Sequence, residues 1–259
     1  MSNVQHYMSA VLKSLRNGSF PKIATRYYNA RRVDRAVAKK YGMQVQKGPF
    51  KGMNYIEIPP YKALPGKLLG FYEVELIPAI QETLARFYDV FINVGSAEGY
   101  YTVGYARAFP KATIIAFDID PRQQAFCRSL ATVNNVADRI QIRGECTVES
   151  LQEVVKPNSL IFMDCEGCEF SLLKPDLLPA LSGADIIVEL HDFGDGTRKQ
   201  QLKAAFEPTH TVTEIQFVPR RASDYPEVQF LGNQRDKELA VMDRDVPSQS
   251  WFYIRAARG

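Results

Sequence analysis

Acidic residues and a histidine follow two of the apolar runs in this chain. The residues that could carry chemistry are Asp164, Glu166 and Glu169 after the run 160-LIFM-163, and His191 and Asp192 after 185-DIIVEL-190. A carboxylate beside an imidazole holds the ring and raises its pKa toward neutrality, so that it can take a proton from a hydroxyl. This pattern predicts His191 as a catalytic base, with Glu166 and Asp164 as further catalytic candidates. The alternatives are a structural hydrogen bond for His191 and, for Glu166 or Glu169, a place in the first turn of a helix.

The same residues could serve two other kinds of site. Asp164, His191 and Asp192 could bind a divalent metal, but we predict no metal. Cys165 and Cys168 could form half of a zinc site or a redox pair. The remaining cysteines form no second C-x-x-C, so we predict that both members of the pair are small packing residues.

A glycine turn in 89-DVFINVGSAEGYYTVGYA-106 separates an apolar run from a stretch of helical character. A strand, a glycine turn and a helix in this order are typical of a nucleotide-binding loop. A dinucleotide fingerprint needs a second glycine where this chain has Ala97, so the loop suits a diphosphate poorly. It suits S-adenosylmethionine, which has an uncharged ribose and a zwitterionic tail. The predicted contacts in and before this loop are Asn93, Gly95, Ser96 and Gly99.

Two aspartates compete for the ribose in 116-AFDIDP-121. Asp120 directly precedes Pro121 and is well placed to cap a helix. Asp118 has no such explanation in the sequence, so it is the predicted ribose ligand. The other residues predicted at the cofactor are its neighbour Ile119, then Glu145 and Cys146 after the third strand, Asp164, and Glu73, which could close over the site.

Four segments together resemble one family. The segments 93-NVGSAEG-99, 116-AFDIDP-121, 164-DCEGCE-169 and 189-ELH-191 are similar to the motifs of the FkbM-like family of S-adenosylmethionine-dependent methyltransferases. The resemblance covers about residues 70 to 195. Asn93 stands where the family usually has Asp, and Asp118 where it has Glu. The resemblance implies a class I Rossmann-like fold and methyl transfer to a hydroxyl on a sugar or another small molecule.

The apolar runs predict the elements that position these residues. Five runs, at 90–94, 113–117, 140–142, 160–163 and 185–190, alternate with stretches of helical length, and a helical period from Leu68 to Phe87 predicts a helix before the first run. This alternation predicts an α/β fold with a mostly parallel sheet covered on both faces. The tail, 210–219 and 249–257, predicts an antiparallel hairpin at one sheet edge. We divide the chain into a helical extension with a linker hairpin at 1–62 and a cofactor-binding domain at 63–259.

Composition and charge restrict the partners. The chain has 259 residues, 46% of them hydrophobic, and a net charge of +3, which is too mild to indicate nucleic acid by itself. Lysines and arginines crowd the first forty residues, where Asp34 is the only acid. We interpret them as the solvated face of packed helices; the alternative is a surface for anionic lipid or another polyanion. Four cysteines and no apolar run long enough to span a bilayer predict a cytoplasmic protein.

Three functions fit the sequence. The first is methylation of a saccharide or a small hydroxylated metabolite. The second is methylation of RNA or protein, which the basic extension favours. The third is a non-catalytic cofactor-binding or scaffold module, against which the carboxylates and His191 argue. The sequence makes no prediction about the oligomeric state.

Overall fold

The structure is a computed structural model that describes residues 20–59, 63–174, 177–192, 196–243 and 250–257. These residues form two compact units. The first unit takes its residues from 1–74 and 219–245, and the second from 75–218 and 246–259. The domain boundary proposed at residue 62 stays a prediction.

The second unit is built on a seven-stranded sheet. In chain order its strands are β1 (Val90–Val94), β2 (Thr113–Phe117), β3 (Ile140–Arg143), β4 (Ser159–Met163), β5 (Asp185–Leu190), β6 (His210–Gln216) and β7 (Ser250–Ala256). The strands lie in the order β3-β2-β1-β4-β5-β7-β6. The first five are parallel, and β7 pairs antiparallel with both β5 and β6. The predicted parallel sheet and antiparallel C-terminal pair are therefore confirmed.

Helices connect the strands of this sheet. They are α3 (Ile77–Leu84), α4 (Tyr100–Ala108), α5 (Pro121–Val133), α6 (Val148–Val154), α7 (Glu169–Leu172), α8 (Leu178–Leu181) and α9 (Thr197–Phe206). Side chains of β1 alternate between the two faces of the sheet. Ile92 joins a buried cluster with Leu151 of α6, while Phe91 stacks on Tyr105 of α4 with ring centroids 4.3 Å apart. Burial on both faces explains why the central strands read as continuous apolar runs.

The strand order reverses direction between β1 and β4. The chain moves outward through β2 and β3, then crosses back to place β4 on the other side of β1. Ligands of open α/β sheets bind beyond the carboxyl ends of the strands at such a switch point. The glycine turn 95–99 follows β1 and the acidic segment 164–169 follows β4, so both lie at this point.

The first unit is helical. Its α-helices are α1 (Phe20–Tyr41), α2 (Leu64–Leu69) and α10 (Gln234–Val241). Val33 and Val37 of α1 are buried, and the Arg32 guanidinium donates to both carboxylate oxygens of Asp236 on α10. The described part of the basic extension is thus a packed helix. Tyr28, near the start of this helix, is 69% exposed, and the segment before Phe20 lies outside the described residues.

One local prediction was wrong. The helix expected from Leu68 to Phe87 is interrupted, because Gly70 adopts a left-handed φ of 79° that ends α2 and Pro78 restarts the chain in the first turn of α3. The short hairpin expected in the linker is present in part: the amides of Val45 and Tyr55 donate to the carbonyls of Met53 and Met43, on either side of an antiparallel bridge between Gln44 and Asn54. No helix in the described ranges is long and apolar enough to cross a membrane.

Candidate active site

The glycine turn is held against the ends of two strands. The backbone amides of Gly95 and Ser96 both donate to the carbonyl of Phe117 at the end of β2, at 2.9 Å. Gly95 has a φ of 77°, and a Cβ on it would overlap the backbone carbonyl oxygen of Asp164 after β4. Glycine at position 95 therefore lets the turn after β1 lie directly against the segment after β4.

Asp118 ties this turn to β2. One carboxylate oxygen accepts from the amide of Ala97 at 2.7 Å, and the other accepts from the amide of Asp120 at 2.8 Å. The carboxylate thus has a structural role that the sequence did not reveal. An ionised carboxylate can accept further hydrogen bonds, so the ribose contact of Asp118 stays a prediction. Asp120 accepts from the amide of Arg122 at 2.8 Å, which confirms it as the N-cap of α5.

Asn93 is bonded on both sides of its amide. Its Nδ2 donates to the carbonyl of Phe162 on β4 at 3.2 Å, and its Oδ1 accepts from the Thr102 hydroxyl on α4 at 2.8 Å. An aspartate could not make the first of these bonds, because an ionised carboxylate only accepts. The departure from the resembled motif at this position therefore has a packing reason. A contact between Asn93 and a cofactor stays a prediction.

His191 lies at the end of β5, buried among four carboxylates. Its Nδ1 is 2.8 Å from Oε1 of Glu169. Its Nε2 is 3.4 Å from Oε2 of Glu166, 3.7 Å from Oε2 of Glu189 and 3.9 Å from Oδ1 of Asp164. The structure therefore brings together all three predicted catalytic residues, His191, Glu166 and Asp164.

The Glu169 carboxylate fixes both the ring and the loop before it. Besides facing His191, its Oε1 accepts from the amides of Cys165 at 3.2 Å and Gly167 at 3.1 Å. Burial acts to raise the pKa of Glu169, but the hydrogen bond to His191, the charge of His191 and the backbone amides of Glu169 and Gly167 outweigh it and hold that pKa below its ordinary value. Burial acts to lower the pKa of His191, yet the bond to Glu169 and the charges of Asp164 and Glu166 raise it above its ordinary value.

Sequence reasoning missed two residues of this cluster as site residues. The sequence presents Glu169 as a strand-end acid that could also start a helix, and Glu189 as the residue two positions before His191. Their signals were present but weak. Glu189 and His191 share one face of β5 because side chains alternate along a strand. Glu169 reaches His191 only through the fold, across 22 residues of sequence.

The cluster could also be considered as a metal site. Single ligand atoms of Asp164, Glu169 and His191 lie within 4.8 Å of one another. Asp192, which the sequence groups with Asp164 and His191 as a possible metal ligand, accepts from the amide of Lys199 at 3.3 Å.

The cysteine pair differs from its prediction. Cys165 and Cys168 are joined by a disulfide that closes the turn after β4. The expectation that both are simple packing residues is therefore wrong. C-x-x-C spacing allows a bond but does not indicate whether the pair is oxidised.

The positions of the other predicted cofactor residues do not test whether they contact a cofactor. Ile119 is 63% exposed beside Asp118, Glu145 is exposed after β3, and Cys146 is half-buried. Glu73 belongs to the first unit, where its amide donates to the Asp243 carboxylate at 2.9 Å. Cofactor contacts of these four residues stay predictions.

Comparison with known proteins agrees with the architecture. No protein-family model and no curated protein matches the chain. Among solved structures, the human methyltransferase 10 domain containing protein is similar over 89% of this chain and 97% of its own, with a TM-score of 0.52 and 11% identity. An O-methyltransferase from Bacillus cereus in complex with SAH matches over 88% and 91% of the two chains, with a TM-score of 0.44 and 15% identity. At such identity the human protein shows a shared fold, which is the Rossmann-like methyltransferase fold that the sequence predicts.

Proposed function

We propose that this protein is an S-adenosylmethionine-dependent methyltransferase that acts on a hydroxyl of a saccharide or another small hydroxylated metabolite. One observation carries the proposal. The glycine turn after β1 lies directly against the segment after β4, and that segment places Glu166 and Glu169 on either side of the buried His191 ring. A loop suited to a nucleoside and a candidate base thus share the switch point of the sheet.

The residues around the glycine turn fit such a cofactor. The Ser96 hydroxyl is buried and has no hydrogen-bond partner among the described residues, as expected for a group that meets a ligand. Ile119 offers an exposed apolar side chain of the kind that packs on an adenine ring, beside the carboxylate of Asp118. We assign Gly95, Ser96, Gly99, Asp118 and Ile119 to the nucleoside side of the site.

S-Adenosylmethionine supplies an activated methyl group on a sulfonium sulfur. The acceptor hydroxyl becomes a better nucleophile as it loses its proton, and His191 is the group placed to take it. Glu169 faces Nδ1 and accepts its hydrogen, which leaves Nε2 as the atom that receives the proton. Glu169 also orients the ring, so it acts as a positioning residue.

The hydroxyl acceptor follows from the need for a base. A carboxylate-held imidazole is of use where the attacking atom must lose a proton, as an alcohol must. The resemblance to the FkbM-like family supports the same acceptor class and belongs to this proposal. A cytoplasmic location is also part of this proposal. The acidic surroundings of His191 disfavour a polyanionic acceptor such as RNA, since like charges at the site repel.

Thermal stabilisation by nucleosides tests the cofactor. S-Adenosylhomocysteine should raise the melting temperature by mass action, and NAD should not. Asp118→Ala should abolish most of that shift, each variant being compared with its own ligand-free melting temperature, because the carboxylate also supports the glycine turn. Asp120→Ala is the matched control. It should lower stability by roughly 1 kcal/mol through the lost cap and keep the shift.

Equal stabilisation by NAD would contradict the methyltransferase assignment. A shift that survives Asp118→Ala would move the ribose contact to another residue and leave the cofactor class standing.

A further inference from the structure

The disulfide between Cys165 and Cys168 encloses two residues in unusual backbone conformations. Glu166 has a φ of 57°, and Gly167 has a φ of 113°. Glycine takes such an angle at no cost, whereas a residue with a side chain is strained there by about 1–3 kcal/mol unless its surroundings hold it. The disulfide closes the turn that holds Glu166 in this conformation, together with the bonds from the amides of Cys165 and Gly167 to Glu169.

The enclosed turn faces His191. The Glu166 carboxylate reaches 3.4 Å from Nε2 although its side chain is 83% exposed. The amides of Cys165 and Gly167, on either side of it, both donate to Glu169. Glu166 thus has few contacts of its own to keep it beside the imidazole of His191, and the geometry of the disulfide-closed turn decides where its carboxylate lies.

The members of the His191 cluster that lie outside the disulfide-closed turn are held by other contacts. The amide of Asp164 donates to the carbonyl of Val94 at 2.9 Å, as a continuation of the pairing between β1 and β4. Glu169 is the first residue of α7 and is fully buried. Opening the disulfide therefore releases Glu166 more than any other member of the cluster.

We propose that Cys165 and Cys168 form a reversible redox site whose oxidised state positions Glu166 at Nε2 of His191 and whose reduced state releases it. A thiolate of a small dithiol attacks one sulfur of the pair and forms a mixed disulfide. Its second thiol then displaces the protein thiol, so that the protein gains two electrons and two protons and the dithiol leaves as a disulfide. A small-molecule disulfide reverses the exchange.

The other two cysteines are poorly suited to take part. Burial raises the pKa of Cys127 to about 12 and that of Cys146 to about 11. Since the thiolate is the form that attacks, neither thiol exchanges readily with the pair at neutral pH. In the reducing compartment that the sequence predicts, a disulfide is typically transient and redox-sensing, which is the behaviour proposed.

The redox chemistry and the movement of Glu166 do not depend on the proposed function; only their effect on methyl transfer rests on it. The acceptor hydroxyl and Glu166 compete for the same nitrogen of His191. Reduction should therefore open Nε2 to the acceptor and lower the apparent KM for it.

Thiol counting tests the bond itself. After denaturation without reductant, alkylation and mass spectrometry should find two modified cysteines, Cys127 and Cys146, and after treatment with dithiothreitol all four. Oxidised glutathione should restore the first result. Four free thiols in protein that has been treated with oxidised glutathione would overturn the proposal.

Titration of His191 by NMR tests the positioning without an acceptor. The carboxylates that face the ring are those of Asp164, Glu166, Glu169 and Glu189, and only Glu166 should move on reduction. The apparent pKa of His191 should then fall by roughly 0.2–0.7, the size expected for the loss of one exposed charge partner. His191→Gln identifies the signal by its absence.

Two variants complete the test. Glu166→Gln should lower the His191 pKa in the oxidised protein and remove its response to dithiothreitol. Cys165→Ser/Cys168→Ser should behave as the reduced protein does, and if that variant fails to fold, reduction of the unaltered chain gives the same comparison. An unchanged His191 pKa on reduction would sink the positioning role. Binding of S-adenosylhomocysteine should be equal in both redox states, so its absence in both would count against the proposed function alone.

Discussion

At the scale of single residues, His191 and Glu169 respond to pH in opposite senses. The raised pKa of His191 gives stability that is complete below its ordinary value of 6.5 and is lost as pH rises through the folded-state pKa. The lowered pKa of Glu169 gives stability that is complete above its ordinary value of 4.5 and is lost as pH falls through the folded-state pKa. The pair therefore stabilises the fold most between about pH 4.5 and 6.5. A base must be neutral to act, so turnover should rise where this stability declines.

The turnover of the enzyme should follow the deprotonation of His191. Methyl transfer to a mixture of saccharide acceptors should increase with pH through an apparent pKa above 6.5. His191→Gln should abolish that rise and reduce the rate by about 10²–10⁴-fold, with the affinity for S-adenosylhomocysteine unchanged. Glu169→Gln should shift the rise to lower pH, because it weakens the hydrogen bond that most strongly raises the His191 pKa and removes the Glu169 charge. If the role of His191 were merely structural, His191→Gln would lower the melting temperature and the affinity for S-adenosylhomocysteine together. The rise of turnover with pH would then not depend on His191.

A metal role for the same cluster gives a different pattern. Activity would be abolished by a chelator and restored by magnesium, and Asp164→Ala would be as damaging as the histidine change. That result would replace the base assignment.

At the scale of elements, the start of β5 is fixed by one buried carboxylate. Asp185 accepts from the Arg86 guanidinium at 2.9 Å, the Tyr88 hydroxyl at 2.6 Å and the amide of Ala256 at 2.9 Å. These donors come from the segment before β1 and from the last residue of β7. The carboxylate thus joins a parallel strand, an antiparallel strand and the entry to the central strand.

Removing this carboxylate should be costly. Asp185→Ala should lower the free energy of unfolding by about 3–5 kcal/mol, because it takes this acceptor from the buried Tyr88 hydroxyl and the Ala256 amide and removes one of the two carboxylates that the Arg86 guanidinium binds. Asp89→Ala is a matched control on the surface, where the exposed carboxylate accepts from Asn158 at 3.3 Å, and it should cost less than about 1 kcal/mol. Urea denaturation followed by circular dichroism measures both. A similar loss in the two variants would mean that the network around Asp185 contributes little.

Elements were predictable from the sequence where a single physical signal decided them. The five parallel strands and the C-terminal pair follow from apolar runs, which a sheet covered on both faces requires. The apolar period over residues 68–87 did not produce one helix, because Gly70 ends the first helix in a left-handed conformation and Pro78 lies in the first turn of the next. The site was predictable as a set of strand-end residues. The contacts between these residues were not predictable. The bond between Glu169 and His191 depends on the register of β4 with β5, and the disulfide depends on oxidation state.

At the scale of the whole molecule, the basic N-terminal helix raises a choice between packing and surface binding. One side of α1 is packed against the first unit: Val33 and Val37 are buried, and Arg32 pairs with the buried carboxylate of Asp236. Its opposite side carries Arg35 and Lys39, both exposed. The two sides make separate predictions, because one stabilises a unit and the other offers charge to a polyanion.

Deleting residues 1–44 should expose the apolar surfaces that α1 covers in the first unit and leave Asp236 without its partner, so the truncated protein should aggregate. Binding of S-adenosylhomocysteine by the soluble fraction should persist, because the glycine turn and Asp118 belong to the second unit. Two point variants separate the causes. Val37→Asp should reproduce the aggregation, seen by size-exclusion chromatography with light scattering, whereas Arg35→Glu/Lys39→Glu should leave the protein monodisperse. If the truncated protein instead stays soluble, and the charge-reversed variant alone loses binding to vesicles of anionic lipid, then the helix serves a membrane surface and its packing is secondary.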